Sequence, residues 1–175
     1  MPIIRQVSQL GHQVLREPTK MVEDISSHVI QNLIDDMLIT VKDYNGVGIA
    51  ANQVYESLKI FVIASYPNVR YPHAPKQEPF ALINPEIVWH SSEIIKGWEG
   101  CLSIPGIRGL VPRHKALNVK YTDRQGNNQE VELNDFTAII FQHEFDHING
   151  MVYLDRVETN RDIITEKEYL KLLGK

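Results

Sequence analysis

The fold turns on how one stretch is read: NDFTAIIFQHEFDHING, residues 134–150. Asn134 and Asp135 are residue types that cap helix N-termini, because their side-chain oxygens accept from the first free backbone N–H groups. Gly150 stands where a helix ends in the left-handed conformation that glycine adopts without strain. Between them the pattern predicts a helix of ordinary length. At about 100° per residue, Phe136, Ile139, Ile140, His143 and His147 share one stripe. Phe141, Phe145 and Ile148 occupy the opposite side. A helix apolar nearly all round is a buried one, so two imidazoles four residues apart sit on a central helix.

His143-Glu144-x-x-His147 is the pattern that lets two imidazoles hold one divalent metal. Glu144 lies beside them, placed to take a proton from a water that the metal activates. The bland alternatives are chance and a satisfied core histidine. Two histidines with a glutamate on an otherwise apolar helix favour a metal site.

Outward from this helix, Ala116–Asp123 and Gln129–Leu133 alternate apolar and polar residues around a Gly126 turn, which predicts a hairpin. Lys59–Ala64 reads as a strand, and Ala81–Asn84 and Glu86–His90 read as two short strands around Pro85. Asp24, Ser26 or Ser27 caps a first helix that runs to about Tyr44, with Ile30, Leu33, Ile34, Met37, Leu38 and Val41 at the helical period. Residues 6–19 read as an extended segment, 65–79 as a long surface loop, and Arg161–Gly174 as a C-terminal helix. Gly46-Val47-Gly48 reads as a helix-to-strand turn whose bare backbone allows close approach. It is not a dinucleotide fingerprint, since the third glycine is absent. Short strands and hairpins around a few helices, without a βαβ rhythm, mean an α+β fold in a single domain over residues 1–175.

Composition narrows the function classes. The chain has 175 residues, 43% of them hydrophobic, and a net charge of −4. That gives no electrostatic case for binding nucleic acid. No apolar run reaches membrane-spanning length, and the N-terminus lacks the apolar core of a signal peptide. The chain reads as a cytoplasmic protein. Its one cysteine, Cys101, excludes an intrachain disulfide. Gly97, Gly100, Pro105 and Gly106 frame it, the context of a ligand presented from a loop rather than of an inert core thiol.

A catalytic metal site needs a third protein ligand and one open position. A metzincin would place a histidine at position 153, where Tyr153 stands. Glu166 and Glu168 are candidates for a thermolysin-like metallopeptidase. Cys101 is the other candidate, because thiolate binds divalent metals well. A non-catalytic metal module remains a third reading, although structural zinc sites normally close with four ligands.

Three stretches, GVGIAANQ (46–53), EGCLS (99–103) and QHEFDHING (142–150), resemble the three signature motifs of the peptide deformylase family, in the family's order and spacing. The resemblance spans roughly residues 5–175. Asn52 departs from the Pro or Thr usual there, Ile148 from Leu, and the 65–79 loop is longer than in the shortest members. The resemblance implies short antiparallel sheets around a central metal-binding helix, with N- and C-terminal helices. It implies removal of the formyl group from the N-terminal formylmethionine of nascent polypeptides. The ligands would be Cys101, His143 and His147 around a native ferrous ion, replaceable by zinc, nickel or cobalt. Glu144 would act as general acid–base, and the Gln53 amide and Leu102 N–H as oxyanion donors. Val47, Gly48 and Gly100 would pair with the substrate backbone. We place Phe136, Ile139 and Ile140 in the methionine pocket, with Glu99 and Gly100 in its wall. Asp146 and Arg113 would form a supporting ion pair behind the motif helix, or else an ordinary surface salt bridge. In some relatives the C-terminal helix docks on the ribosome near its exit tunnel.

Overall fold

The computed structural model describes residues 1–174. Its elements run α1 (His28–Asp43), β1 (Gly48–Ala50), β2 (Ile60–Ile63), β3 (Phe80–His90), β4 (Ile94–Cys101), β5 (Ile104–His114), β6 (Ala116–Thr122), β7 (Asn128–Asn134), α2 (Asp135–Ile148), β8 (Ile163–Thr165) and α3 (Glu166–Leu172). One antiparallel sheet has the order β1-β2-β3-β6-β7 and a second has β4-β5-β8. This is an α+β architecture.

The start of α1 and the end of α2 have local causes. The Ser27 hydroxyl accepts from the Ile30 N–H and starts α1. Residues Ile30, Leu33, Ile34, Met37 and Val41 are buried against β1 and β2. Each such side chain contributes about 1.5–3 kcal/mol through burial. Asn134 stands at the N-cap of α2 without a side-chain hydrogen bond to the helix, and Gly150, two residues past its end, turns the chain away with φ +74°. The helix fills the space under the five-stranded sheet, where Phe141 meets Phe61 edge-on at 5.2 Å. Among the described residues no helix is long and apolar enough to cross a membrane.

Three readings of the sequence need correction, and one unassigned stretch is filled. β3 is one strand, not two. Asn84 takes φ +51° inside it, the register slips between Ile83 and Glu86, and the chain bends without breaking. Residues 104–114, unassigned from sequence, form the long strand β5, whose Gly and Pro content hid its period. Cys101 closes β4 at a hairpin rather than standing on a loop. The C-terminal helix is shorter than expected, because Ile163–Thr165 pair with β5 as a strand before α3 begins.

The topology opens one cleft. β1 is an edge strand of the first sheet and β4 is an edge strand of the second. Residues from both border the same cavity, and α2 supplies a third wall.

Candidate metal centre and active-site cleft

Cys101, His143 and His147 meet beside this cleft, with Cys101 and His143 in its lining. Their candidate ligand atoms lie within 4.8 Å of one another, and all three residues are buried. One helical turn separates the two imidazoles, while the β4–β5 hairpin delivers the sulfur from the other sheet. Cys101 Sγ lies 3.2 Å from His147 Nε2. The Gln53 amide and the Ser103 backbone N–H each donate to Sγ at 3.4 Å. Burial pushes the thiol up, but His147 and His143 outweigh it and hold Cys101 well below its ordinary value. A thiolate and two imidazoles in one buried pocket suit a divalent transition metal, and the donor set fits one ion.

The histidine His143 is oriented from behind. Its Nδ1 lies 2.8 Å from Glu99 Oε2, which leaves Nε2 for the metal side. Such carboxylate–histidine contacts fix the tautomer and the ring plane of a metal ligand. Glu99 is in turn gripped by Arg113, whose Nε and Nη2 donate at 2.8 and 2.9 Å. Arg113 Nη1 donates to Asp146 at 2.6 Å, and Arg156 Nη2 reaches the other Asp146 oxygen at 2.7 Å. Burial works against the Glu99 carboxylate, yet Arg113 and His143 hold it at about 2. The Arg113–Asp146 pair is therefore no surface salt bridge, since the side chains are 4% and 5% exposed. Glu99 also borders the cavity, but its carboxylate is turned to Arg113 and His143. Tyr153, which displaces a third histidine, stacks on the His143 ring at 5.9 Å.

Glu144 is buried, and its Oε2 has no hydrogen-bond partner among the described residues. Burial lifts its carboxyl to about 7, with His143 and His147 pulling the other way. A carboxylate so tuned can both take and return a proton near neutral pH. Gly48 passes directly over it. A Cβ on Gly48 would stand 2.6 Å from Glu144 Oε1 and 2.9 Å from Ile140 Cγ2, so only glycine lets β1 approach α2 this closely.

The remaining residues singled out from sequence mostly come together. Val47, Gly48, Gln53, Gly100 and Leu102 border the cavity. So do Phe136, Ile139 and Ile140 on α2. Gln53 is held by its Oε1, which accepts from Ala50 N–H at 2.8 Å, while Nε2 faces Cys101 and Ser103. Asn52, the departure from the family pattern, donates to the His147 carbonyl at 2.6 Å and ties β1's neighbouring turn to the end of α2. Glu166 and Glu168 lie elsewhere. Glu166 takes two hydrogen bonds from Arg108, at 2.6 and 2.8 Å, and Glu168 pairs with Lys171. The metallopeptidase ligand set is therefore not assembled.

Sequence reasoning missed Arg70, Tyr71 and Trp98, which also border the cavity. Arg70 and Tyr71 come from the 65–79 loop, where aromatic and basic residues next to proline gave no periodic signal.

The profile of the polypeptide deformylase family matches residues 4–162. Peptide deformylase 2 of Nostoc sp. is 58% identical over 174 residues, covering 99% of this chain and 97% of that one. Peptide deformylase 2 of Shewanella oneidensis is 42% identical over 150 residues, covering 86% and 82%. Among solved structures, a class I type b peptide deformylase from Acinetobacter baumannii with Met-Ala-Ser bound superposes with a TM-score of 0.87. It is 41% identical and covers 90% of this chain and all of that one.

Proposed function

The chain belongs to the polypeptide deformylase family, enzymes that use a metal ion to remove the N-formyl group from nascent polypeptides, and we propose that Glu144, Gln53 and Leu102 carry the catalysis in one domain spanning 1–175. The observation behind this reading is the unpartnered Glu144 carboxylate, buried beside the Cys101–His143–His147 trio and bordering the cleft.

Cys101, His143 and His147 would hold the metal, which supplies Lewis acidity and makes water acidic enough to deprotonate near neutral pH. Glu144 accepts the proton of the attacking water. The water oxygen bonds to the formyl carbon, and the carbonyl oxygen gathers negative charge. The Gln53 amide and the Leu102 backbone N–H donate to that oxygen, a preorganised contribution that water cannot match. The carbon–nitrogen bond then breaks, Glu144 returns its proton to the departing amine, and formate leaves. The free edge of β1 at Val47–Gly48 and the Gly100 backbone of β4 align the peptide as an added strand. Formate release from formyl-Met-Ala-Ser by the metal-loaded protein is the direct test; an inert, fully loaded protein would overturn the assignment.

We take ferrous iron as the native ion, on the family resemblance, with zinc, nickel and cobalt as substitutes. Turnover of protein loaded with each ion in turn decides this. The substrate is a nascent chain, which places the work in the cytoplasm. Contact with the ribosome near its exit tunnel through α3, which exposes Leu172, would bring that chain to the cleft.

The ligand set has its own test. Cys101→Ala is expected to lose most of its metal, while Glu166→Ala retains it. Equal metal content in the two purified variants would return the third ligand to open question.

The methionine pocket has a second one. Ile140 is 3% exposed yet borders the cavity beside Gly48. A long unbranched side chain suits the apolar slot formed with Phe136 and Ile139. Ile140→Trp is expected to lower kcat/KM for formyl-Met peptides about 10–200-fold more than for formyl-Ala peptides, the range that pocket methylenes discriminate. An equal loss on both, in a folded and loaded variant, would assign Ile140 to the core alone.

A further inference from the structure

The 65–79 loop is built to present two side chains to the cleft. Asn68 Oδ1 accepts from the Arg70 and Tyr71 N–H groups at 2.9 and 3.0 Å, and Asn68 N–H donates to the Tyr71 carbonyl at 3.1 Å. Ser65 closes the base of the loop through its hydroxyl to Pro75 O at 2.6 Å and its carbonyl from Gln77 N–H at 2.9 Å. Ala74 is buried in the α2 core cluster. The loop is thus pinned at both ends and at its turn.

Tyr71 anchors the presentation. Its ring packs against Phe136 at 5.7 Å, and its hydroxyl donates to the Gly100 carbonyl at 3.3 Å. Phe136 precedes His143 by seven residues, so this contact lies about 10 Å along α2 from the metal ligands. Arg70 rides on Tyr71, its guanidinium 5.8 Å from the ring centroid. Arg70 has no ion-pair partner among the described residues. Glu166, the carboxylate it acts on, is already held below the usual range by Arg108's hydrogen bonds. Neither acidic side chain bordering the cavity pairs with Arg70: Glu99 is held by Arg113 and His143, and Glu144 sits beside the ligands with Oε2 unpartnered. Arg70 therefore brings an unbalanced positive charge to the cleft.

The direction of the substrate brings that charge within reach. A peptide lying along β4 with its first residue beside Gly100 advances about 3.3 Å per residue. Its second and third residues then pass Glu99, Trp98 and Gly97, which border the same cavity as Arg70.

We propose that Arg70 is a specificity-determining residue that favours formylated chains with an acidic side chain at the second or third position. This rests on the deformylase reading and adds to it which nascent chains are processed fastest. The attraction is that of a partly exposed ion pair, worth about two- to five-fold in kcat/KM.

The test uses metal-loaded protein and C-terminally amidated peptides, so that no terminal carboxylate competes. Formyl-Met-Ala-Glu is compared with formyl-Met-Ala-Lys, and formyl-Met-Glu-Ala with formyl-Met-Lys-Ala, by formate release. The wild-type acid-to-base ratio is expected to exceed one at one of these positions. It should fall toward one in Arg70→Ala, invert in Arg70→Glu, and shrink in about 1 M salt, where the screening length is about 3 Å. Because each ratio is taken within one protein preparation, a change in the fraction folded cancels. An active Arg70→Glu enzyme with the wild-type ratio at both positions would overturn the proposal alone. A wild-type protein that releases formate from none of the peptides would overturn the deformylase reading, and this one with it.

Discussion

Replacing Glu144 with glutamine is expected to give a folded, metal-loaded protein that deformylates formyl-Met-Ala-Ser about 10²–10⁴ times more slowly. That range is what a positioned general acid–base typically supplies. The loss should fall on kcat, with KM little changed, because the side chain acts on the proton in flight rather than on the bound peptide. Glutamine keeps the volume between Gly48 and the motif histidines, where the present carboxylate is buried and a Cβ on Gly48 would already collide. It keeps the metal as well, since Glu144 is not among the three converging ligands. Metal analysis and steady-state kinetics on one preparation separate the two effects. Turnover within a few-fold of wild type, at full loading, would remove Glu144 from the mechanism.

Much of this arrangement was legible because α2 carries it within a few turns. The His143–Glu144–His147 spacing, the Gly150 stop and the apolar faces all follow from one period of the chain. α1 was readable for the same reason, with Ser27 and an unbroken row of apolar residues. What escaped the sequence depends on partners on other elements. β5 has glycines and prolines that mask alternation, and only pairing with β4 and β8 makes it a strand. Ile163 and Ile164 fit a helical period, but an open edge of β5 claims them first. Glu99 borders the cavity as expected, yet its carboxylate has another task that only the fold reveals, because Arg113 lies across the hairpin and His143 on a different element. Arg70 and Tyr71 could not be found by period at all. Their placement comes from hydrogen bonds internal to an aperiodic loop, together with contacts of Tyr71 to Phe136, Gly100 and Arg108 on other elements.

The buried charge cluster behind His143 should be the costliest feature to disturb. Arg113 makes two hydrogen bonds to Glu99 and one to Asp146, in a region where the side chains are at most 7% exposed. Arg113→Met removes the cation and leaves Glu99 buried with only His143 for company, while Asp146 keeps Arg156. Breaking a buried pair from one side typically costs about 3–5 kcal/mol, because the surviving charge stays desolvated. For a chain of this length that lowers Tm by on the order of 10 °C. The same change unpins the His143 ring, and loss of such an orienting partner weakens metal binding about 10–100-fold. The two consequences separate in the Arg113→Met, Glu99→Gln double variant. Removing the orphaned carboxylate should recover much of the lost stability, since neighbouring substitutions of this kind are strongly non-additive. Metal affinity should stay below wild type, because a neutral amide grips the His143 Nδ1 proton less firmly than a carboxylate held by arginine. Thermal unfolding of the metal-free proteins and metal titration of each supply the cycle. If Arg113→Met costs less than about 1 kcal/mol, or if the double variant is less stable than the single, water reaches the cluster and Arg113 is not what holds Glu99 against the histidine.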